Sequence, residues 1–249
     1  MMHIGFLHFL QHTIPHNLHE EMNFHIVTNA LTSFCINDLG GFYLDILKDR
    51  LYTAPTTGRA RRAAQNALYH ITHALTRLMA PILSFTAEEV WATLQKGDTS
   101  VFEQTWYTLD LPRDAEALRT RWGQMRALRS DVQKELETLR AAGKIGSSLA
   151  GEVDLYAEGD AHGLLASLGD DVRFVMITSR ATVHAGKGGS TVSGTGVGIS
   201  VSPTTHAKCE RCWHYRADVG VHEKQAEHPQ LCGRCVSNLF GTGEPREHA

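Results

Sequence analysis

Four of the five cysteines fall in two close pairs, Cys209-Glu-Arg-Cys212 and Cys232-Gly-Arg-Cys235, with 19 residues between them. Two residues between cysteines let both sulfurs of a tight turn face one ion, while backbone amides of the turn spread the thiolate charge. Pairs separated by roughly 15–20 residues have the spacing of a four-thiolate zinc site. Such a shell is closed and leaves no position for water or substrate. One structural zinc ion is therefore expected on Cys209, Cys212, Cys232 and Cys235. Two other readings of these residues stay open: either pair alone could be a dithiol redox couple, and His206, His214, His222 or His228 could replace one thiolate. Gly233 is expected to give the second turn its tight path. The tail around the pairs has few large apolar residues, so metal should supply most of its folding energy.

Basic and aromatic residues interleave around these cysteines: Lys208, Arg211, Trp213, His214, Tyr215, Arg216, Lys224 and Arg234. Such a mixture suits contact with phosphates and unstacked bases, although Trp213 and Tyr215 could equally serve as a cover for the metal. A second basic group, Lys48, Arg50, Arg59, Arg61 and Arg62, lies at the end of one predicted helix and the start of the next. These are candidates for phosphate contact, which positions a nucleic acid rather than reading it; a solvated helix start is the plainer reading of Arg61 and Arg62. The net charge of −3 excludes a wholly basic coat, so any nucleic-acid surface must be local. No nucleophile–base set or carboxylate pair argues for independent chemistry.

The elements that position these residues are mostly helical at first. From about Glu20 to Tyr52, Phe24, Val27, Leu31 and Phe34 recur at helical intervals, and Phe42 and Ile46 resume the stripe after Gly40-Gly41. Cys35 sits beside this stripe and reads as a small core residue. A loop at Ala54–Gly58 precedes a cleaner helix with Ala64, Leu68, Ile71, Leu75 and Leu78 on one face, ended by Pro81. Thr86-Ala87-Glu88-Glu89 predicts a capping-box start for the next helix, which carries Val90, Trp91 and Leu94. After a connection closed by Pro112, a long helix is expected from Ala115 to Ala142, with Leu118, Trp122, Met125, Val132, Leu136 and Leu139 on one side and Gly143 as its cap.

The character changes at Gly146. Glu152–Tyr156 alternates as a strand, Leu164 and Leu168 mark a short helix, Val172–Val183 reads as a buried strand and Val197–Val201 as another. Residues 186–196 are rich in Gly, Ser and Thr; their Gly-x-Gly spacings lack a strand–turn–helix context and read as a loop. Hydrophobic residues make up 42% of 249, ordinary for a chain with a core. Met1–Leu18 has no early Lys or Arg and is broken by Pro15, so no signal peptide is expected. No run of about 18 apolar residues predicts a membrane span. The expectation is a cytoplasmic protein with no membrane partner.

Leu44-Asp45-Ile46-Leu47-Lys48-Asp49-Arg50-Leu51-Tyr52 and Ala80-Pro81-Ile82-Leu83-Ser84-Phe85-Thr86-Ala87-Glu88-Glu89-Val90-Trp91 closely resemble the anticodon-binding helical domain of bacterial isoleucyl-tRNA synthetases, class I aminoacyl-tRNA synthetases. Ile145–Leu149 with the strand Val153–Tyr156 looks like the junction that follows it. The tail from Cys209 to Tyr215, with Cys232–Asn238, is similar to that family's C-terminal zinc module, which the related valyl and leucyl enzymes lack. The resemblance runs from about Glu20 to the C-terminus, and the first 19 residues do not share it.

It implies a mainly α chain: an unassigned segment 1–19, a helical-bundle anticodon-binding domain 20–112, a long connecting helix 113–145, a small α+β junction domain 146–201 and a four-cysteine zinc-knuckle tail 202–249. It also implies tRNA(Ile) as partner, with Lys48, Arg50, Arg59, Arg61, Arg62, Arg211, Trp213 and Arg216 as contacts and no DNA. The family performs ATP-dependent isoleucyl-tRNA aminoacylation through a His-Ile-Gly-His signature and a Lys-Met-Ser-Lys-Ser loop. No Lys-Met pair occurs in this chain, and His3-Ile4-Gly5-Phe6 lacks the last histidine and a preceding strand. ATP would then enter only through a missing catalytic domain. The chain reads as a C-terminal fragment or as one half of a split enzyme with a separately encoded catalytic half, and no catalysis is expected from it alone. The alternatives are a stand-alone, non-catalytic tRNA-binding zinc protein and a zinc interaction protein with no RNA role.

Overall fold

The computed structural model describes residues 23–108, 113–244 and 246. The expectations for residues 1–19, His3–Phe6 and Pro112 lie outside the described residues. The described residues fall into two compact units: those up to Leu44 together with those of Ala63–Arg119, and Asp45–Arg62 together with those from Thr120 onward.

In the first unit, α1 (Phe24–Ser33) buries Val27 and Leu31 and runs directly into a π-helical stretch, Phe34–Leu44. The predicted stripe survives in Phe34, Phe42 and Ile46, which are buried; Tyr43, outside the prediction, is buried as well, and Phe24 is exposed. Cys35 is exposed too, a correction to its reading as a core residue. A π-helix pairs i with i+5, so each turn takes up an extra residue and the apolar face drifts away from a position chosen on ordinary helical spacing. Close passage of the wide turn also explains the paired glycines, since a side chain on Gly40 would lie 3.0 Å from the Cys35 carbonyl oxygen.

Helix α3 (Arg59–Met79; α2, Asp45–Thr53, precedes it) buries Ala64, Ala67, Ile71, Ala74, Leu75 and Leu78 on the expected face. The same face takes in His73, whose Nδ1 lies 3.0 Å from Arg77 Nη1. A guanidinium only donates, so Nδ1 must accept and the ring stays neutral; burial first, and then the charge of Arg77, push its pKa below the ordinary histidine value. The Arg77 guanidinium in turn lies 4.7 Å from the Trp91 ring centroid and 4.9 Å from that of Tyr107.

Helix α4 (Ser84–Leu94) begins before the predicted capping box, with Leu83 at its N-cap and no side-chain cap. The turn after α3 already leads into it, with Leu83 N–H donating to Met79 O at 2.7 Å and Ser84 Oγ to Ala80 O at 3.0 Å. Thr86 therefore falls inside the helix. Glu88 accepts instead from Ser100 Oγ and Val101 N–H, at 3.0 and 2.9 Å. A capping box forms at Ser100 and Glu103, around the short turn Val101–Glu103.

The second unit is built on α5 (Ala115–Ala141), which Gly143 closes in the left-handed conformation (φ +69°) as expected. Its buried Met125, Leu128, Val132 and Leu136 form one face. Arg129 on that helix donates to Asp45 at 2.6 Å, tying the first turn of α2 to α5. Strand β1 (Gly151–Ala157) alternates between buried and half-buried residues. It pairs in parallel with β2 (Arg180–Ala185) and antiparallel with β4 (Gly198–Pro203), while β3 (Thr191–Val192) pairs with β4, giving the order β2-β1-β4-β3.

Between β1 and β2 lie α6 (Gly159–Ala166) and α7 (Val172–Met176). The predicted strand Val172–Val183 is thus a helix in its first part. Ile177 at φ +57° breaks the chain between helix and strand, and every residue of α7 is buried. A short run buried on all sides has no period to distinguish helix from strand. The glycine-rich segment packs closely: a side chain on Gly198 would collide with the Gly188 carbonyl oxygen. No described helix is long and apolar enough to cross a membrane.

Candidate metal centre

Two short pieces present the cysteines. The ribbon of β5 (Ala207–Lys208) and β6 (Tyr215–Arg216) turns at Cys209–His214, with Cys209 N–H donating to His214 O and Trp213 N–H to Cys209 O, both at 2.9 Å. Trp213 takes φ +65° in this turn, an unusual conformation for a bulky side chain. The second pair sits at the start of α8 (Gly233–Phe240), with Cys232 at the N-cap and Cys235 in the first turn. Gly233 is helical rather than left-handed. Its small size matters because a side chain there would lie 3.1 Å from Asp218 Oδ2, which accepts its N–H.

The four sulfurs lie within 4.8 Å of one another and all four residues are buried. Cys212 Sγ is 3.7 Å from Cys232 Sγ, too far for a disulfide. It matches the edge of about 3.8 Å that zinc–sulfur bonds of about 2.3 Å impose on a tetrahedron. Hydrogen bonding with Cys209 pulls the Cys212 thiol below its ordinary pKa range and pushes Cys232 and Cys235 above theirs, so four thiolates side by side need a cation to coexist. The donor set fits zinc.

Among the described residues no histidine enters this cluster. His214 Nδ1 faces Cys212 O at 3.2 Å, His206 Nε2 lies 3.9 Å from Glu152, His222 Nε2 reaches the carbonyls of His228 and Leu231, and His228 stacks on Phe240. Among the described apolar residues only Leu231 and Val236 join the cysteines in a buried cluster, with Val219 partly buried against it.

The metal module is tied to α2. Arg211 Nη1 donates to Thr53 O at 2.8 Å and Nη2 to Tyr52 O at 3.3 Å. Arg234 forks onto Asp49 through Nη1–Oδ1 and Nη2–Oδ2 contacts of 2.8 and 2.7 Å. Arg246 also donates to Asp49 Oδ1, at 2.7 Å. Burial pushes the Asp49 carboxyl up, but Arg234, then Arg246 and His214, outweigh it and hold the pKa well below the usual carboxylate range.

The predicted contact residues therefore separate. Lys48 is exposed and bonded to Asp45 at 3.0 Å; Arg59 and Arg62 are exposed; Arg61 is half-buried, 3.5 Å from Ala54 O. Arg50 is 3% exposed, and Arg216 is half-buried against Asp218 at 2.8 Å. Trp213 is 61% exposed, with the Lys208 ammonium 5.6 Å from its ring centroid. Lys48, Arg211 and Trp213 come together on one cleft of about 310 Å³, floored by Ile46, Phe174 and Ile177. Tyr52, 76% exposed, lines the same cleft and escaped the sequence reading, as did Asp49. The arginine repeated in both cysteine pairs was the available signal for the Asp49 anchor; nothing local marks Tyr52. Arg234, grouped with possible phosphate contacts, is buried instead.

Residues 6–155 match the family described as the anticodon-binding domain of tRNA ligase, and residues 208–238 match a zinc finger found in FPG and IleRS. Isoleucine–tRNA ligase of Bordetella petrii is 52% identical over 240 residues, covering 93% of this chain and 24% of that protein. The corresponding enzyme of Thiobacillus denitrificans is 56% identical over 231 residues, with the same coverage. That of Janthinobacterium sp. is 54% identical over 230 residues, covering 91% of this chain and 23% of the enzyme. The chain thus spans about a quarter of the length of these relatives. The family match begins at residue 6, so the likeness reaches into the first 19 residues, where the motifs alone did not show it. The zinc-finger match and the four-thiol cluster together support one structural zinc ion. With 150 of its residues, 6 to 155, inside one family and the zinc finger following, the chain belongs to the anticodon-binding domain family of tRNA ligases.

Proposed function

We propose that this chain is the tRNA-gripping region of an isoleucine–tRNA ligase, that it binds tRNA(Ile) by the anticodon arm, and that Cys209, Cys212, Cys232 and Cys235 ligate its zinc. The observation that carries this reading is the cleft where the metal module meets α2, which presents Trp213 and Tyr52 to solvent beside Lys48. Exposed aromatic faces take unstacked bases, and cations at the rim take phosphates. Arg59, Arg61 and Arg62, at the first turn of α3, extend the phosphate track. Arg50, Arg211 and Arg216 contribute by holding the surface in shape. The zinc supplies no chemistry to a substrate; it joins two knuckles that have little apolar core.

In this reading residues 20–112 are the anticodon-binding domain, 113–145 a connecting helix, 146–201 a junction and 202–249 the zinc tail. Docking there would deliver the acceptor end of the tRNA to the ATP-dependent acylation site of the whole enzyme, in the cytoplasm. The test is the affinity of the zinc-loaded chain for tRNA(Ile) and for the same tRNA with a changed anticodon, at several salt concentrations. A preference for the native anticodon that persists as salt rises is expected. Weak binding that ignores the anticodon and vanishes with salt is the generic electrostatic term and would reject the reading.

A further inference from the structure

In both cysteine pairs an arginine stands directly before the second cysteine: Arg211 before Cys212 and Arg234 before Cys235. Both side chains reach the same helix at points one turn apart. Arg211 donates to the carbonyls of Tyr52 and Thr53. These close α2, where helix carbonyls lack partners and a cation is favoured by the helix dipole. Arg234 makes a two-pronged contact with Asp49, four residues earlier, and both side chains are almost fully enclosed, at 5% and 13% exposure.

One contact would leave a helix free to rotate about it; two contacts along the axis fix rotation and translation together. The backbone of each arginine adjoins a zinc ligand, so the tetrahedral shell sets the spacing between the two guanidinium groups. Lys48 and Tyr52 flank Asp49 on the same helix, and Trp213 follows Cys212 directly. Both sides of the aromatic cleft are therefore referred to one metal ion.

We propose that Arg211 and Arg234 form a two-point clamp on α2 with Asp49 as its anchor, and that these positioning residues make the spacing between Trp213 and Tyr52 depend on the zinc shell. The proposal rests on the tRNA-binding reading above. A role in stability alone would reduce the folded fraction and leave anticodon preference intact in the molecules that fold. A positioning role moves the preference itself.

The experiment uses the full zinc-loaded chain, Asp49→Asn and Arg211→Gln. Zinc content, amide hydrogen exchange across residues 45–53 and 209–216, and affinity for tRNA(Ile) with native and changed anticodons are measured. Both variants are expected to keep one zinc ion and to exchange faster in both segments together. Their preference for the native anticodon should fall by about tenfold, within the range of coupled networks. Unchanged exchange in residues 45–53, or a preference equal to that of the parent chain, overturns the proposal. Should Asp49→Asn not fold, Arg211→Gln decides: that side chain is half-buried, donates to main-chain carbonyls on α2 and reaches Cys235 Sγ at 3.7 Å, and the zinc content shows whether the shell is kept. If the parent itself shows no anticodon preference, the functional reading fails, and exchange still judges the clamp: joint acceleration sustains it and independence refutes it.

Discussion

The helical core around α3 and the cysteine tail hold their shapes by different physics. Along α3 a continuous apolar face, from Ala64 to Leu78, is removed from water, and its contribution is spread over many side chains. Among the described residues of the tail only Leu231 and Val236 join the four cysteines in the buried apolar cluster, and charged contacts to Asp49 do the rest. A distributed core loses stability in increments. A core centred on one ion fails as a whole.

The sharpest way to break this comparison is to remove the metal. Chelation, or Cys212→Ser, should unfold the tail from about Lys208 while α3 and α4 persist, because apparent zinc binding energies of about 10–16 kcal/mol are folding energy in such modules. Residue-resolved NMR would reveal it, and a tail with unchanged shifts would contradict the account. Ile71→Ala should cost about 2–5 kcal/mol, the range for a truncated core side chain, without displacing zinc. Denaturant unfolding with a zinc assay separates the two effects, and zinc release at native conditions would show that the regions are not independent in this way.

A smaller effect concerns pH. The unfolded chain protonates histidine near about 6.5, whereas burial and Arg77 place His73 lower in the folded state. As pH falls, the unfolded state takes up the proton first. The stability associated with neutral His73 is therefore whole above the unfolded value and declines as pH drops through it toward the folded one. His73→Gln should flatten that part of the stability–pH curve, and an unchanged slope would assign it to another group. Smallest for folding is Arg62→Glu, expected to change stability by no more than about 0.5 kcal/mol at an exposed site. If it touches a phosphate, the salt slope of tRNA binding should fall by about 1 or more; an unaltered slope would leave Arg62 as a solvated helix start.

Where the sequence reading succeeded, the determinants were local. The cysteine spacing announced the four-thiol cluster, the stripe on α3 its buried face, and Gly143 the left-handed end of α5. Where it failed, a local pattern had two physical solutions. Five buried residues from Val172 to Met176 suit a strand as well as a helix, and only Ile177 at positive φ and the parallel partner β1 decide between them. Thr86 and Glu89 have capping chemistry, but the turn leaving α3 already starts the helix. Cys35 follows Phe34 in an apolar stretch, yet the extra residue per π turn carries it to the surface.

The sequence by itself thus determined the metal, the helical character of the chain's first part and the resemblance of both to a tRNA-binding region, because ligand spacing and hydrophobic period are properties of neighbours along the chain. Tertiary structure alone decided which basic residues meet solvent and which are enclosed. Arg50, Arg59, Arg211 and Arg234 look alike as letters. Arg234 is separated from Asp49 by 185 positions, and only folding brings that carboxylate to it. A cation's role depends on the nearest anion and on the water left around it, and neither is written in the residues beside it.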